Sequence, residues 1–146
     1  MRIPVKRNQR TFYDLFLGCL IKNGDKVIAK KILDQALFLV SLKFKCPPAL
    51  ILLYIENRLS SLVELRTVNI RKGEIQVPFT VGYNRQRFLI VKNILLTVKK
   101  DKTRRSFTLK LSEEIINVLL NRGKTISSRN EQIAQVAKFR SNAFKK

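Results

Sequence analysis

Hydrophobic residues recur at intervals of three and four positions over most of the chain, a spacing that places them on one face of an α-helix. The repeat predicts six helices, several of them bounded by glycine, proline or asparagine. We expect these helices at 12–22, 25–44, 48–62, 84–100, 108–121 and 129–144. Because the chain has 146 residues, 45% of them hydrophobic, it suits one mainly α-helical domain with a single core.

The second predicted helix separates an apolar face from a basic side, formed by Lys26, Lys30 and Lys31. Its apolar positions are expected to pack against the core. They are Val27, Ile28, Ile32, Leu33, Ala36, Leu37 and Val40. Pro47 and Pro48 should end this helix and begin the third, because proline suits a first helical turn and disfavours helix in the residue before it.

The start of the last helix is predicted from a capping box. Ser128 and Glu131 have the spacing at which a serine and a glutamate each satisfy a free amide at a helix end. We therefore expect this helix to begin at Arg129.

Glu113 and Glu114 are expected near the start of the fifth helix, where the helix dipole favours a carboxylate.

The hydrophobic period changes to two between the third and fourth helices, which predicts a β-hairpin. Residues 63–71 and 74–81 alternate apolar and polar side chains, and Lys72-Gly73 supplies a turn. A two-stranded ribbon cannot bury both faces, so we expect part of this arm, about 64–81, to protrude from the helical body. Phe79 and Phe88 are expected to seal the hairpin onto the core rather than to stack on bases.

The charge balance indicates a polyanionic partner. Thirty lysines and arginines against ten acids give a formal charge of +20, which would cause strong self-repulsion unless a partner neutralised it. Cations concentrate in residues 1–11, the hairpin, the segment after the fourth helix and the last helix. Nucleic acid is therefore the expected partner, with residues 1–11 as a basic tail and 12–146 as the binding domain.

Enzymatic and metal chemistry are not indicated. The chain has no histidine and only two cysteines, Cys19 and Cys46, which are expected to be reduced and at least half-buried. No cofactor is expected, and the acids Asp14, Asp34 and Glu56 form no recognisable catalytic pattern. The longest apolar runs fall well short of the ~20 residues needed to span a bilayer.

A DNA-binding architectural protein is the alternative hypothesis, since a basic β-ribbon can enter a minor groove and bend a duplex. Such a protein would be expected to dimerise, and it would use fewer helices than the six predicted here. A preference for duplex DNA over structured RNA would favour this alternative.

Two stretches match patterns of a known family. Residues 63–67 and 76–81 are similar in composition and length to a hairpin arm in which Gln-Val-Pro, here Gln76-Val77-Pro78, is rather specific. Residues 24–37 are similar to a glycine-led stretch that ends in Ala-Leu. With these matches, residues 12–144 resemble the small-subunit ribosomal protein seven family.

The resemblance implies a helical protein with a β-arm that binds the 3′ major domain of small-subunit rRNA. It also implies that the protein organises the head of the subunit, beside other head proteins and near mRNA and exit-site tRNA. Val68 and Asn69 stand where the family has paired arginines, and Arg71 and Lys72 stand where it has paired glycines at the arm tip. Asp25 replaces a usual cation.

The rRNA-binding residues are expected among the cations of the tail, hairpin, helix ends and linker. The candidates are Lys6, Arg7, Arg10, Lys22, Lys26, Lys30, Arg66, Arg71, Lys72, Arg85, Lys92, Lys99, Lys100, Lys102, Arg104, Arg105, Lys124 and Arg129. The many lysine, asparagine, isoleucine and phenylalanine residues suggest an AT-rich organellar genome. We expect a mitochondrial ribosome, with a plastid ribosome as the alternative.

Overall fold

Six α-helices and one antiparallel β-hairpin form the fold in the computed structural model, which describes residues 11–70 and 73–144. The predicted fold class is confirmed, with the hairpin between the third and fourth helices. The elements are α1 (Phe12–Leu20), α2 (Lys26–Phe44), α3 (Pro48–Leu59), β1 (Val63–Ile70), β2 (Gly73–Thr80), α4 (Tyr83–Lys100), α5 (Phe107–Leu119), α6 (Lys124–Lys138) and a 3-10 helix (Arg140–Phe144).

Local sequence signals set several of the helix ends. The Thr11 side chain accepts a hydrogen bond from the Asp14 backbone N–H at 3.2 Å, which caps α1. Helix α2 ends at Phe44, and the next residue, Lys45, has the left-handed φ of 53° that commonly follows a helix end. Helix α3 begins at Pro48 as predicted.

Helix α5 lies at the centre of the helical body and packs against α2, α3, α4 and α6. The core that surrounds it consists of aliphatic and aromatic side chains, each worth about 1.5–3 kcal/mol on burial. The largest fully buried ones are Phe16, Leu33, Ile55, Ile94, Leu111 and Ile115. Because these side chains come from α1 to α5, the core fixes the positions of the helices that present the basic residues.

Two predicted core positions in α2 are wrong. Val27 and Ile28 are 69% and 57% exposed, whereas the packed face is formed by Ala29, Leu33, Ala36, Leu37 and Val40. At 3.6 residues per turn, Val27 lies about 160° around the helix from Ala29 and Ile28 lies about 100° from it. Hydrophobicity alone did not distinguish these positions from the packed ones.

The predicted start of the last helix is also wrong. Helix α6 begins at Lys124 after Gly123, so Ser128 lies inside the helix and forms no cap. A residue of another helix bonds the free amide at the start of α6. Glu114 of α5 accepts hydrogen bonds from the Thr125 backbone N–H at 3.1 Å and from the Thr125 hydroxyl at 2.6 Å. Gly123 has a φ of 95°, and a Cβ there would lie 2.9 Å from the Cβ of Asn117.

Glu113 and Glu114 consequently do not serve the dipole of their own helix. Helix α5 begins at Phe107, almost two turns earlier, so both carboxylates lie beyond the first turn, where the dipole acts. Glu113 is exposed and pairs with Arg105, whereas Glu114 is only 9% exposed and faces α6.

The hairpin packs against α6 and the 3-10 helix, and a hydrogen bond holds it at the middle of β2. Its strands pair from Val63 opposite Thr80 to Ile70 opposite Gly73, and both strands contact the C-terminal region, β1 through α6 and β2 through the 3-10 helix. The buried Asn142 side chain donates to the Gln76 backbone carbonyl at 3.0 Å. The hairpin direction is therefore set by tertiary contacts rather than by the strands alone.

The two cysteines differ in their exposure. Cys19 is half-buried as expected, but Cys46 is exposed because it lies in the turn before Pro47, where its thiol donates to the Phe44 carbonyl at 3.3 Å.

Within residues 11–70 and 73–144, no single helix has the length and hydropathy to cross a membrane. The consecutive helices α2 and α3 meet those criteria only as a pair, which is bent by 92°.

Candidate nucleic-acid interface

A group of exposed cations lies near the end of α4 in the described part of the chain. Lys22 from the α1–α2 loop and Lys99 from α4 line one surface pocket of about 370 Å³, beside Cys19. Burial raises the pKa of the Cys19 thiol, and the nearby Lys99 ammonium partly opposes that rise. We call the following five exposed side chains the basic corner: Lys22, Lys99, Lys100, Lys102 and Arg104.

A hydrogen-bonded turn shapes the segment that carries Lys102 and Arg104. The Asp101 carboxylate accepts from the Thr103 backbone N–H at 3.2 Å and from its hydroxyl at 3.0 Å, and these bonds lower the pKa of Asp101. Lys110 of α5 donates to the Asp101 carbonyl at 2.9 Å. Asp101, the single acid in this basic segment, thus orders the backbone between its cations.

Lys124 and Lys110 face the other side of the same turn. Both line a pocket of about 250 Å³ together with Asp101 and Glu113. Lys124 was a predicted site residue, whereas Lys110 was not predicted, because its position inside α5 resembled an ordinary exposed helix charge. Its contact with Asp101 indicates that it belongs to this group of cations, and only the folded structure shows that contact.

Two arginines, each close to an aromatic ring, share one glutamate where the hairpin meets α4. Glu64 accepts two hydrogen bonds from Arg85, at 2.8 Å from Nη2 and 3.3 Å from Nε, and it lies 3.6 Å from Nη2 of Arg66. The Arg66 guanidinium lies 5.6 Å from the Phe79 ring centroid, and that of Arg85 lies 5.5 Å from the Phe88 centroid.

Glu64 therefore orients two predicted site residues without burying them. The Arg66 and Arg85 side chains remain 51% and 44% exposed, so each can still reach a phosphate. Phe79 and Phe88 are 40% and 37% exposed, so the prediction that they seal the hairpin onto the core is wrong. Their exposed rings support the guanidinium planes instead.

Replacing Glu64 by glutamine removes its ion pairs with Arg66 and Arg85 and is expected to lower the free energy of unfolding at pH 7. The loss should be only about 0.5–1 kcal/mol, because these pairs are partly exposed. The hydrogen bond from Arg85 lowers the pKa of Glu64 from its usual 4.5, so its stabilisation exists above pH 4.5 and is lost as the pH falls through the lowered pKa. Urea unfolding over a series of pH values from 7 downward measures the loss at pH 7 and the pH at which it disappears.

The matched control for Glu64→Gln is Glu74→Gln on the other strand. Glu74 is exposed and forms no ion pair within the described residues. We expect its replacement to change stability little at either pH. Equal losses for both variants, or a Glu64 effect that persists below its pKa, would contradict the assignment.

The remaining predicted cations lie on three different parts of the described structure or outside it. Lys26 and Lys30 are exposed on α2, and Arg105 pairs with the Glu113 carboxylate on the surface. Lys92 and Arg129 line a cleft between the hairpin, α4 and α6. Lys6, Arg7, Arg10, Arg71 and Lys72 lie outside the described residues.

One arginine that the sequence did not single out has a structural position. Arg87 of α4 lies 3.0 Å from the Glu56 carboxylate of α3, and the two side chains are only 11% and 13% exposed. Its guanidinium also lies 5.6 Å from the Phe12 ring centroid and 5.0 Å from that of Tyr83. Arg87 thus connects α1, α3 and α4, and no sequence spacing indicated these contacts.

Among the described residues, no group of acidic and cysteine side chains is arranged to hold a metal ion. The candidate interface contains cations and aromatic rings, which suit phosphates and bases.

Comparison with known proteins identifies the family. Residues 2–140 match the family model described as Ribosomal protein S7p/S5e. The chain belongs to this family. Members of this family are structural components of the small ribosomal subunit, so this protein is not an enzyme. The hypothesis of a DNA-binding architectural protein is not supported.

Relatives at low identity come from mitochondrial and bacterial ribosomes. The chain is 25% identical to Small ribosomal subunit protein uS7m of Reclinomonas americana over 114 residues, which cover 78% of this chain and 71% of the relative. It is 28% identical to uS7 of Buchnera aphidicola over 116 residues, covering 80% and 74%. It is 29% identical to uS7 of Syntrophus aciditrophicus over 127 residues, covering 87% and 81%.

Proposed function

We propose that this protein binds the 3′ major domain of small-subunit rRNA and organises the head of the subunit. The observation that carries the proposal is the set of exposed cations on the hairpin, α4 and the following turn, on a chain that belongs to the S7 family. These cations project from a body whose core is fully formed, so RNA can neutralise them without unfolding the protein. Each neutralised phosphate releases condensed counterion, which drives binding.

The candidate cations of the sequence analysis form the proposed contact set, and the structure supports an unequal division among them. The basic corner provides point charges for phosphates, whereas Glu64 orients Arg85 through two hydrogen bonds and Arg66 through a 3.6 Å contact, each guanidinium lying near an aromatic ring. Oriented guanidinium groups suit bidentate phosphate contacts or stacking on a base. Shape recognition of RNA is expected from these arginines, and affinity from the lysines.

The partners and the compartment are part of the same proposal. Head proteins of the small subunit are the expected protein neighbours, and mRNA and exit-site tRNA are expected to pass nearby. We favour a mitochondrial ribosome, because the composition suggests an AT-rich organellar genome and one relative is the uS7m protein. The bacterial relatives are equally similar, and a plastid ribosome is the alternative.

Sedimentation of ribosomal subunits tests the proposal. In a lysate of the source cells, the protein is expected to sediment with small subunits through a gradient at high salt, and to be enriched with mitochondrial rRNA rather than plastid or cytosolic rRNA. A core component remains bound because many phosphate contacts act together with protein neighbours. Release into the soluble fraction at high salt would contradict a head-organising role.

A further inference from the structure

A polar cleft separates the hairpin from α4 and α6. Its volume is about 400 Å³, within the range of sites that hold small ligands or parts of larger ones. Its apolar wall includes Leu59 and Ile90, which are buried, and Leu65 of β1. The cleft is therefore large enough for a planar ring and offers apolar surface for the ring to contact.

Five side-chain amides surround this apolar wall. They are Gln76, Gln86, Asn93, Gln132 and Gln135. Gln86 donates to the Val81 carbonyl at 2.9 Å, but within residues 11–70 and 73–144 the other four amides form no side-chain hydrogen bond. Each free amide offers one acceptor oxygen and two donor hydrogens without net charge. Such groups match the edge of a nucleobase.

Two cations border the cleft from opposite helices. Lys92 of α4 is exposed, and Arg129 of α6 donates from Nη2 to the Ser60 carbonyl at 3.4 Å. The Nε of Arg129 is buried and has no hydrogen-bond partner among the described residues. Glu64 also borders the cleft, but its carboxylate is already bonded to Arg85. Lys92 and Arg129 together give the border of the cleft a positive charge, which suits an anionic ligand group.

We propose that this cleft binds a single unstacked adenine nucleotide of the RNA, with the base against the amides and the phosphate at Lys92 and Arg129. Asparagine and glutamine form bidentate hydrogen bonds with adenine, whose neighbouring donor and acceptor match an amide. Sequence-specific RNA recognition commonly uses such unstacked bases in bulges and loops. The inference rests on the proposed rRNA binding and specifies how one of its contacts is made.

The test compares an RNA helix that contains one bulged adenosine with the same helix without the bulge. Fluorescence anisotropy is expected to show that the full-length protein binds the bulged helix about tenfold more tightly. Replacing Asn93 and Gln132 together by alanine should abolish this preference while binding of the continuous helix is unchanged. Alanine favours helix at both positions, so the fold is preserved.

The control variant replaces Gln35 and Asn57 by alanine, since these are exposed amides on α2 and α3 outside the cleft, and it should retain the preference. In NMR spectra, the side-chain amide signals of Asn93 and Gln132 should shift with the bulged helix only. Equal binding of both helices, or a preference that survives in the cleft variant, would overturn the cleft assignment alone. Failure to bind either RNA at low salt would overturn the proposed function as well.

Discussion

Replacing the five cations of the basic corner by glutamine is expected to flatten the salt dependence of rRNA binding by about 3.5–4.5 logarithmic units per unit of log salt, because each neutralised phosphate contributes about 0.7–0.9. Affinity at low salt should fall by about tenfold or more, since these contacts supply much of the attraction to the backbone. Titrations of small-subunit rRNA at several salt concentrations measure both quantities. The fold should survive, because all five side chains are exposed.

A control with the same change in charge separates contact from general attraction. It replaces five exposed cations that lie outside the proposed contact set: Lys31, Lys43, Arg58, Arg122 and Lys138. Its salt slope should remain close to that of the unmodified protein. An equal reduction of the slope by both variants would show that the RNA responds to net charge, and the basic corner would lose its assigned role.

Where local rules decided the structure, the sequence predicted it closely. The prolines at 47 and 48 placed the boundary between α2 and α3, because their effect on the backbone does not depend on distant residues. The alternation of 63–81 predicted paired strands that occupy Val63–Ile70 and Gly73–Thr80. The period of two is a property of the strand itself.

Where a distant residue competes with a local signal, the prediction failed. Ser128 and Glu131 have a valid capping spacing, but Glu114 of α5 satisfies the amide of Thr125 one turn earlier. A buried carboxylate that accepts two hydrogen bonds outweighs an exposed capping box, whose contribution is about 1 kcal/mol. The sequence contains no marker that pairs Glu114 with Thr125.

The same distinction applies to the candidate site. Charge alone indicated that the lysines would be exposed, since an unpaired lysine is rarely buried. It could not indicate that Arg85 would be bonded to Glu64, which is 21 residues away in sequence, or that an amide-lined cleft would form beside it. These features depend on how the hairpin lies against α4 and α6, which tertiary packing determines.

Replacing Glu114 by alanine is expected to lower the free energy of unfolding by about 2–3 kcal/mol and the melting temperature by roughly 5–12 °C. The change removes the acceptor for the Thr125 N–H and hydroxyl, and Thr125 is only 1% exposed, so water does not readily replace the carboxylate. Relief from burying a charge offsets part of this cost. Urea and thermal unfolding measure the change.

Two neighbouring variants determine whether the effect comes from the bond to α6. Glu114→Gln keeps an acceptor oxygen and should cost clearly less than alanine, and Glu113→Ala breaks only the exposed pair with Arg105 and should cost at most about 1 kcal/mol. Amide hydrogen exchange at Thr125 and Ile126 should accelerate in Glu114→Ala alone. If Glu114→Ala and Glu113→Ala were equally stable, the buried bond would not hold α6 in place. The position of Arg129 and Gln132 in the cleft would then need another explanation.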